Sequence, residues 1–297
     1  MHALVTVAIP AYSERYFGDA FASALAQHYA PLEILVEDDS PGDAIERTVR
    51  GAADARVRYV RNPRRLGFAG NFTACFAAAH GDLIKFLNDD DRLLPHCVEA
   101  LAGVLEANPA IVLATSRRQV IGPSGEPVPG TRATQPLALA SALFIGRELG
   151  DVALVNSVNF IGEPSTVMFR RSQLAVEGDS IFRWGGRDYH CLADLSVWLR
   201  LMRTGLAYYG AEALSEFRRH PGQEQDRAGG AFECLVERVA IAREARKAGY
   251  LASPGAWRAA LAAIEARAGP LLHPGVVLDA TAGAFVAELE AEVAAAH

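Results

Sequence analysis

The chain has 297 residues, a formal net charge of −6, 51% hydrophobic residues and 22% charged residues. That length holds one large domain or two smaller ones with an ample core. The charge balance carries no basic field, which excludes nucleic acid as the expected partner. The four cysteines, Cys75, Cys97, Cys191 and Cys234, are far apart and form no C-x-x-C. They predict free, partly buried thiols in a reducing compartment rather than a zinc site or a disulfide framework. No basic segment followed by an apolar run marks the amino terminus, and no apolar run reaches bilayer length. A cytoplasmic protein with no transmembrane segment is expected, with peripheral membrane contact left open.

The first third alternates short apolar runs with helical patterns, which predicts a mainly parallel twisted sheet flanked by helices, an α/β fold. Leu4–Ile9 reads as a strand ended by Pro10, and Phe17, Phe21, Ala24 and Leu25 then recur at helical spacing. Glu33–Glu37 predicts a second strand, closed by the acidic turn Asp38-Asp39-Ser40-Pro41-Gly42. Ile45–Ala53 reads as a short helix, Val57–Val60 as a third strand, Gly70–Ala79 as a helix and Asp82–Leu87 as a fourth strand. Pro95–Ala107 is helical up to Asn108-Pro109, and Ile111–Ala114 is a further strand. Proline and glycine thicken from Gly122 to Pro136, a surface loop or a linker between halves. Beyond it, Leu139–Leu149 reads as a helix, Thr166–Phe169 as a strand, Cys191–Met202 as a helix capped near Gly205, and Leu206–Tyr209 and Leu214–Phe217 as two strands. From Gly229 onward Ala, Glu, Arg and Leu dominate with helical period, and Phe232–Ala248, Ala256–Ala268 and Val276–Ala295 read as three helices. They form either a cover packed on the domain or the surface of a homodimer.

Three aspartates in a row, Asp89, Asp90 and Asp91, follow the apolar run Leu83-Ile84-Lys85-Phe86-Leu87. The carboxyl end of a strand is where open α/β sheets bind ligands. At ~5 Å and an effective dielectric of ~20, each pair of adjacent anions costs roughly 3 kcal/mol before screening. Hard oxygen ligands of this kind suit Mn2+ or Mg2+ bridging carboxylate to phosphate; the structural alternative is an acidic turn ahead of the helix near Pro95. Asp38 and Asp39 form a second acidic strand end, which a parallel sheet sends to the same edge. Neither G-x-G-x-x-G after the first strand nor G-x-x-x-x-G-K-[ST] occurs, which argues against a dehydrogenase and a P-loop ATPase. A phosphate bound here needs a cation rather than a glycine cradle.

Val7-Ala8-Ile9-Pro10-Ala11-Tyr12, Glu37-Asp38-Asp39-Ser40, Asn62-Pro63 with Leu66-Gly67 and Asn71, and Phe86-Leu87-Asn88-Asp89-Asp90-Asp91 with Pro95 follow one another in the chain. In this order and spacing they resemble the family 2 glycosyltransferases of the GT-A fold, over roughly residues 4 to 220. The resemblance implies transfer of a single sugar from a nucleotide-diphosphate sugar, UDP most often, to an acceptor hydroxyl with inversion and with Mn2+ or Mg2+. The acceptor would be a glycan, a lipid-linked molecule or a small molecule. It also implies a nucleotide-sugar-binding half (1–120) and an acceptor-binding half of the same domain (121–225), to which the composition shift adds a C-terminal helical extension (226–297).

Carried over by position, the resemblance puts Pro10, Ala11, Tyr12 and Glu14 around the base and ribose. Asp38 would accept from the base, with Asp39 beside it, and Arg65, Gly67 and Asn71 would run alongside. The D-x-D falls at Asn88-Asp89-Asp90 or at Asp89–Asp91. Asp90 is then the first metal ligand, with Asp91 and His220 as companions and Asp89 on the donor side. Asn88 departs from the Asp that many members carry. Arg218 and Arg219 would meet the diphosphate. The general base would be Asp194, in an Ala193-Asp194 pair where members often have Glu-Asp, with Asp188 as its rival and His190 lining the pocket. A carboxylate that takes the acceptor proton contributes ~10² to 10⁴ in rate. Gly162-Glu163-Pro164-Ser165 would line the acceptor side, and Trp184-Gly185-Gly186 would be a mobile loop over it. Arg183-Trp184 lacks the Gln of the processive synthases' Gln-x-x-Arg-Trp motif, which favours addition of single sugars. The missing Glu keeps open a catalytically silent nucleotide-sugar-binding module. A sugar-phosphate nucleotidyltransferase would need a Gly-rich, basic loop where Ala11-Tyr12-Ser13-Glu14 stands.

Overall fold

A computed structural model describes residues 2–223, 230–268 and 280–296. Strands β1 (Val5–Ala11), β2 (Leu32–Asp38), β3 (Val57–Arg61) and β4 (Leu83–Phe86) lie parallel in the order β3-β2-β1-β4. Val5, Val7, Ile9, Ile34 and Val36 face one apolar cluster, while Ala8 and Leu35 face the other. Burial on both faces is why these strands read as unbroken apolar runs. Helices α1 (Glu14–Leu25), α2 (Ala44–Ala52) and α4 (Cys97–Ala107) cover the first face, and α3 (Gly67–Ala78) covers the second. The start of α1 is fixed by Ser13, whose Oγ accepts from Arg15 N at 3.3 Å. Its buried stripe is Phe17, Ala20, Phe21 and Ala24, one helical face.

The second half completes the same sheet. The three-residue β8 (Met168–Arg170) is antiparallel to both of its neighbours, β4 and β6 (Ile111–Ile121). The long β11 (Leu206–Arg218) runs parallel to β6. The short β5 (Arg92–Leu93) and β7 (Ala142–Ile145) lie antiparallel on β11. Helices α5 (Gly146–Asn156) and α6 (Ala193–Met202) join the second face. A hairpin of β9 (Arg183–Trp184) and β10 (Arg187–Asp188) turns at Gly185-Gly186, with φ of +60° and +80°, backbone that glycine adopts freely. Helices α7 (Gly230–Lys247), α8 (Pro254–Ala268) and α9 (Ala280–Ala296) follow. The segment after α7 docks on α5 and α6: Tyr250 Oη donates to Leu199 O at 2.6 Å, and Leu251 N donates to Asp151 Oδ1 at 2.7 Å. Among the described residues no helix is long and apolar enough to cross a membrane.

Several expectations are corrected. The helix expected over Leu139–Leu149 is β7 followed by the start of α5. Exposed Leu143 and Ile145 alternate with half-buried Ala142 and Phe144, the two-residue period of a strand lying on β11. Leu206–Tyr209 and Leu214–Phe217 belong to one strand, continuous through register shifts between Gly210 and Ser215. The expected third C-terminal helix begins at Val276, but Val276–Asp279 lie outside the described residues. Four free thiols are not found: Cys191 and Cys234 form a disulfide, and Cys75 and Cys97 are free and buried. The bridge joins the segment before α6 to the first turns of α7, a tertiary contact that spacing along the chain does not encode.

Candidate active site

The parallel strands deliver their acidic ends to one edge, and most of those carboxylates organise backbone. Asp38 has no exposed surface. Its Oδ1 accepts from Ser40 N at 2.8 Å, and its Oδ2 accepts from Tyr59 Oη at 2.7 Å and Arg61 Nη1 at 3.0 Å. Asp39 accepts from Asn62 Nδ2, Leu66 N and Gly67 N at 2.7–2.9 Å. The last bond requires Gly67 at φ +73°, a left-handed conformation suited to glycine. Asn71 is buried and ties the end of β1 to that of β2 through Ala11 O and Glu37 O, both at 3.2 Å. Asp89 Oδ2 accepts from Tyr12 N and Ser13 N, both at 2.7 Å, holding the loop after β1. Burial and then the charge of Asp90 push the Asp89 carboxyl up to about 6 despite these bonds.

Between these loops lies a cleft of about 270 Å³, bordered by Tyr12, Asp39, Arg61, Asn62, Pro63 and Arg65. It sits near the lower edge of small-molecule sites, ~300–1,000 Å³. The Arg65 guanidinium lies 4.6 Å from the centre of the exposed Tyr12 ring. The expected order of the acidic pair is therefore exchanged. Asp39 borders the cleft, while Asp38 is spent beneath it on Arg61 and Tyr59. Pro10 and Ala11 are buried in β1, and Glu14 is exposed at the first residue of α1.

Asp90 and Asp91 point opposite ways. Asp91 has no exposed surface, and both its oxygens are used: Oδ1 by Arg218 N at 2.9 Å, Oδ2 by Ser165 Oγ at 2.6 Å and Asn88 Nδ2 at 3.0 Å. Asp91, expected as a metal ligand, is a buried bracket between three chain segments. Asp90 Oδ2 instead lies 3.1 Å from His220 Nε2, with Gln223 Nε2 at 3.3 Å. His220 Nδ1 is 3.0 Å from Pro221 O. A carbonyl can only accept, so Nδ1 carries a hydrogen, and the second ring nitrogen, Nε2, is the one that faces Asp90. Tyr16 supports this histidine, its ring centre 4.7 Å away. Among the described residues no three His, Cys, Asp or Glu side chains gather around one metal position.

Arg218 is also corrected. Expected at a diphosphate, it is 1% exposed. It donates to Asp90 O and Asp19 Oδ2 at 2.8 Å and to Pro123 O at 3.1 Å, and stacks 4.4 Å over the Tyr16 ring. Arg219 is exposed.

Asp194 stands in the first turn of α6. Its Oδ1 accepts from Leu195 N at 2.7 Å and its Oδ2 from Asn159 Nδ2 at 2.8 Å. Burial, aided by the charge of Glu163, pushes its carboxyl up to about 7 against those bonds and the Arg118 charge. Arg118 Nε lies 2.9 Å from Glu163 Oε2, and Thr166 Oγ1 donates to Glu163 Oε1 at 2.5 Å. The Gly162–Thr166 turn thus connects the two sides. Trp198 Nε1 holds Gly162 O at 2.8 Å, while Ser165 reaches Asp91 and accepts from Asn88 N at 3.0 Å. Beneath the turn Lys85 is wholly buried and donates to Ser165 O.

Asp188 lies exposed on β10 with Arg183 Nη2 at 3.4 Å. His190 precedes α6, is exposed, and shares no helix face with Asp194. Trp184 is packed inward, 8% exposed, and Glu177 accepts from the N–H groups of Gly185 and Gly186 at 3.1 and 2.7 Å. The expected mobile loop is therefore a pinned hairpin. Tyr16, Lys85, Arg118 and Asn159 were not anticipated as site residues. Only Lys85, a cation inside an apolar run, carried a visible signal.

An open, mostly parallel α/β sheet flanked by helices, with a small cleft and an acidic rim at one edge and a half-buried carboxylate apart from them, is a GT-A-type arrangement. The model of the family described as "Glycosyl transferase family 2" matches residues 6–175, and the chain belongs to that family. An uncharacterized Mycobacterium tuberculosis protein, MT1568, is 33% identical over 73% of this chain and 67% of its own length. Over 35% of this chain and 42% of its own, the chain is 30% identical to the Escherichia coli UDP-Glc:alpha-D-GlcNAc-diphosphoundecaprenol beta-1,3-glucosyltransferase WfgD. Among solved structures, residues 1–349 of S. aureus TarS in complex with UDP-GlcNAc match with a TM-score of 0.65 at 13% identity, covering 90% of this chain and 72% of that one. That likeness shows the shared fold.

Proposed function

We propose that the protein moves one sugar from a UDP-sugar to an acceptor hydroxyl with inversion at the anomeric carbon. The observation that carries this reading is the approach of His220 Nε2 to Asp90 Oδ2 at 3.1 Å. A carboxylate oxygen and an imidazole nitrogen this close are joined by a cation, a proton on Nε2 or a metal ion that takes its place. The donor set, one hard oxygen and one imidazole nitrogen, fits Mn2+ or Mg2+ completed by phosphate oxygens. Such an ion would supply positive charge to the departing diphosphate.

The chain's own residues do the rest. Tyr12 and Asp39 border the cleft for the base and ribose, with Asp39 accepting from the base. UDP is supported as donor by the TarS neighbour solved with UDP-GlcNAc and by the UDP-Glc-dependent E. coli relative. Asp194 takes the acceptor hydroxyl proton as that oxygen bonds to the anomeric carbon. The bond from that carbon to the UDP oxygen breaks, and UDP leaves with the electron pair. A base titrating near 7 balances proton affinity against availability at neutral pH. Asn159 orients the Asp194 carboxylate. Calorimetry of UDP with Mn2+ and with EDTA tests the donor side. Tight binding is expected only with the ion, and lost in Asp90→Ala; an Asp90→Ala protein binding UDP–Mn2+ as tightly as wild type overturns it.

A further inference from the structure

We infer that Glu237, on the C-terminal extension, is a positioning residue for Asp194: it caps α6 from a distant element and fixes the helix end that carries the carboxylate. The inference rests on reading Asp194 as the base. A helix begins with backbone N–H groups that need acceptors. Here α6 supplies one of its own, Asp194 Oδ1 to Leu195 N, while no side chain of its own caps it at Leu192. Glu237, 6% exposed, supplies both its oxygens: Oε1 accepts from His190 N at 2.8 Å and Oε2 from Leu192 N at 2.9 Å. The residue between those two, Cys191, is bonded to Cys234, which lies three positions before Glu237 and so on the same face of α7. Three consecutive residues ahead of Asp194 are thus fastened to one helix face, two by hydrogen bonds and one covalently. A carboxylate at a helix amino end is also favoured by the peptide dipoles.

The remainder of α6 is held independently. Trp198 reaches Gly162 O at 2.8 Å, and Arg200 Nη1 reaches Ile181 O at 2.7 Å and Arg183 O at 3.0 Å. Glu237 therefore acts at the residues that lead into the first turn, where Asp194 sits, alongside Asn159 and the Ser196 Oγ bond to Phe182 O. The groups facing Asp194 are Glu163 and Asn159 from the turn and loop before β8, Arg118 from β6, and its own Leu195 N–H. When the first turn frays, water reaches the carboxyl and the burial that keeps its proton is lost.

Carbon-13 NMR of the full chain labelled at aspartate carboxyls follows Asp194, assigned by the resonance missing from Asp194→Asn. Wild type is expected to titrate at about 7. Glu237→Gln keeps the volume but replaces one of the two accepting oxygens with a donating NH2 that faces His190 N or Leu192 N, so the midpoint is expected to fall by about one pH unit or more, towards the solvated carboxylate range. Cys234→Ser removes only the covalent link and is expected to shift it less, in the same direction. An unmoved Asp194 midpoint in folded Glu237→Gln overturns the proposal, however far the melting temperature drops, because Glu237 then acts on stability alone. Should Glu237→Gln fail to fold, Glu237→Asp, which keeps the charge but shortens the reach to His190 N and Leu192 N, decides by the same criterion. The base reading fails separately: Asp194→Asn would then release UDP from UDP-glucose or UDP-GlcNAc as fast as wild type, while the NMR midpoint still reports on positioning.

Discussion

The acids of the nucleotide rim and the lone acid of α6 are chemically the same group put to opposite uses. At the rim, Asp38, Asp89 and Asp91 are spent on backbone and side-chain donors that shape loops, Asp39 both anchors a loop and borders the cleft, and Asp90 faces an imidazole. In α6, Asp194 has Asn159 and its own helix for partners, and burial keeps its proton on up to about 7. A carboxylate saturated with donors builds structure; one that is sparsely met and desolvated is suited to proton transfer. The contrast separates the clustered charge of the rim from the group proposed as base, which stands elsewhere.

The largest effect that would break this contrast is in turnover. Asp194→Asn is expected to lower transfer by ~10² to 10⁴, with UDP–Mn2+ affinity unchanged by calorimetry; equal loss of both would place Asp194 on the donor side. Next comes pH. The ionised form is the base, so transfer should fall about tenfold per unit below a midpoint of about 7, and a rate profile flat from pH 5 to 8 would remove the assignment. Stability should run the other way. The folded pKa exceeds the ordinary carboxylate value, so this group's contribution is full at low pH and is lost as pH rises through about 7. Melting curves of Asp194→Asn should accordingly gain on wild type between pH 5 and pH 8.

Two smaller effects sharpen the rim. Asp91→Asn turns a donor towards Ser165 or Arg218 N and should cost ~1–3 kcal/mol in urea denaturation, more than Asp90→Asn. The reverse order would return Asp91 to the ligand set. Arg219→Ala, at an exposed side chain, should change stability by less than about 0.5 kcal/mol. A large loss there would mean that the basic turn is structural.

The parallel core was legible because its strands are short apolar runs, two of which, β2 and β4, lead into acids, so local pattern and position agreed. The acceptor side was less so. Asp194 meets Asn159, Glu163 and Arg118 from segments 31 to 76 residues earlier in the chain, and no spacing rule joins them. The reading of Asp91 and Arg218 as ligand contacts failed because type and position cannot tell which way a side chain turns. Both turn inward, onto each other's segment. The edge strands β5 and β7, of 2 and 4 residues, are too brief to show a period, and β7 merged with the helix that follows it.

The sheet order also constrains how the protein is made. Strand β6 lies between β8 and β11, and both come later in the chain. As the polypeptide leaves the ribosome, this 11-residue strand has neither flank covered until Met168–Arg170 emerges, and its other flank waits for Leu206–Arg218. An uncovered strand edge templates association with other chains, so nascent or prematurely terminated products that stop between those points are the species most prone to aggregate.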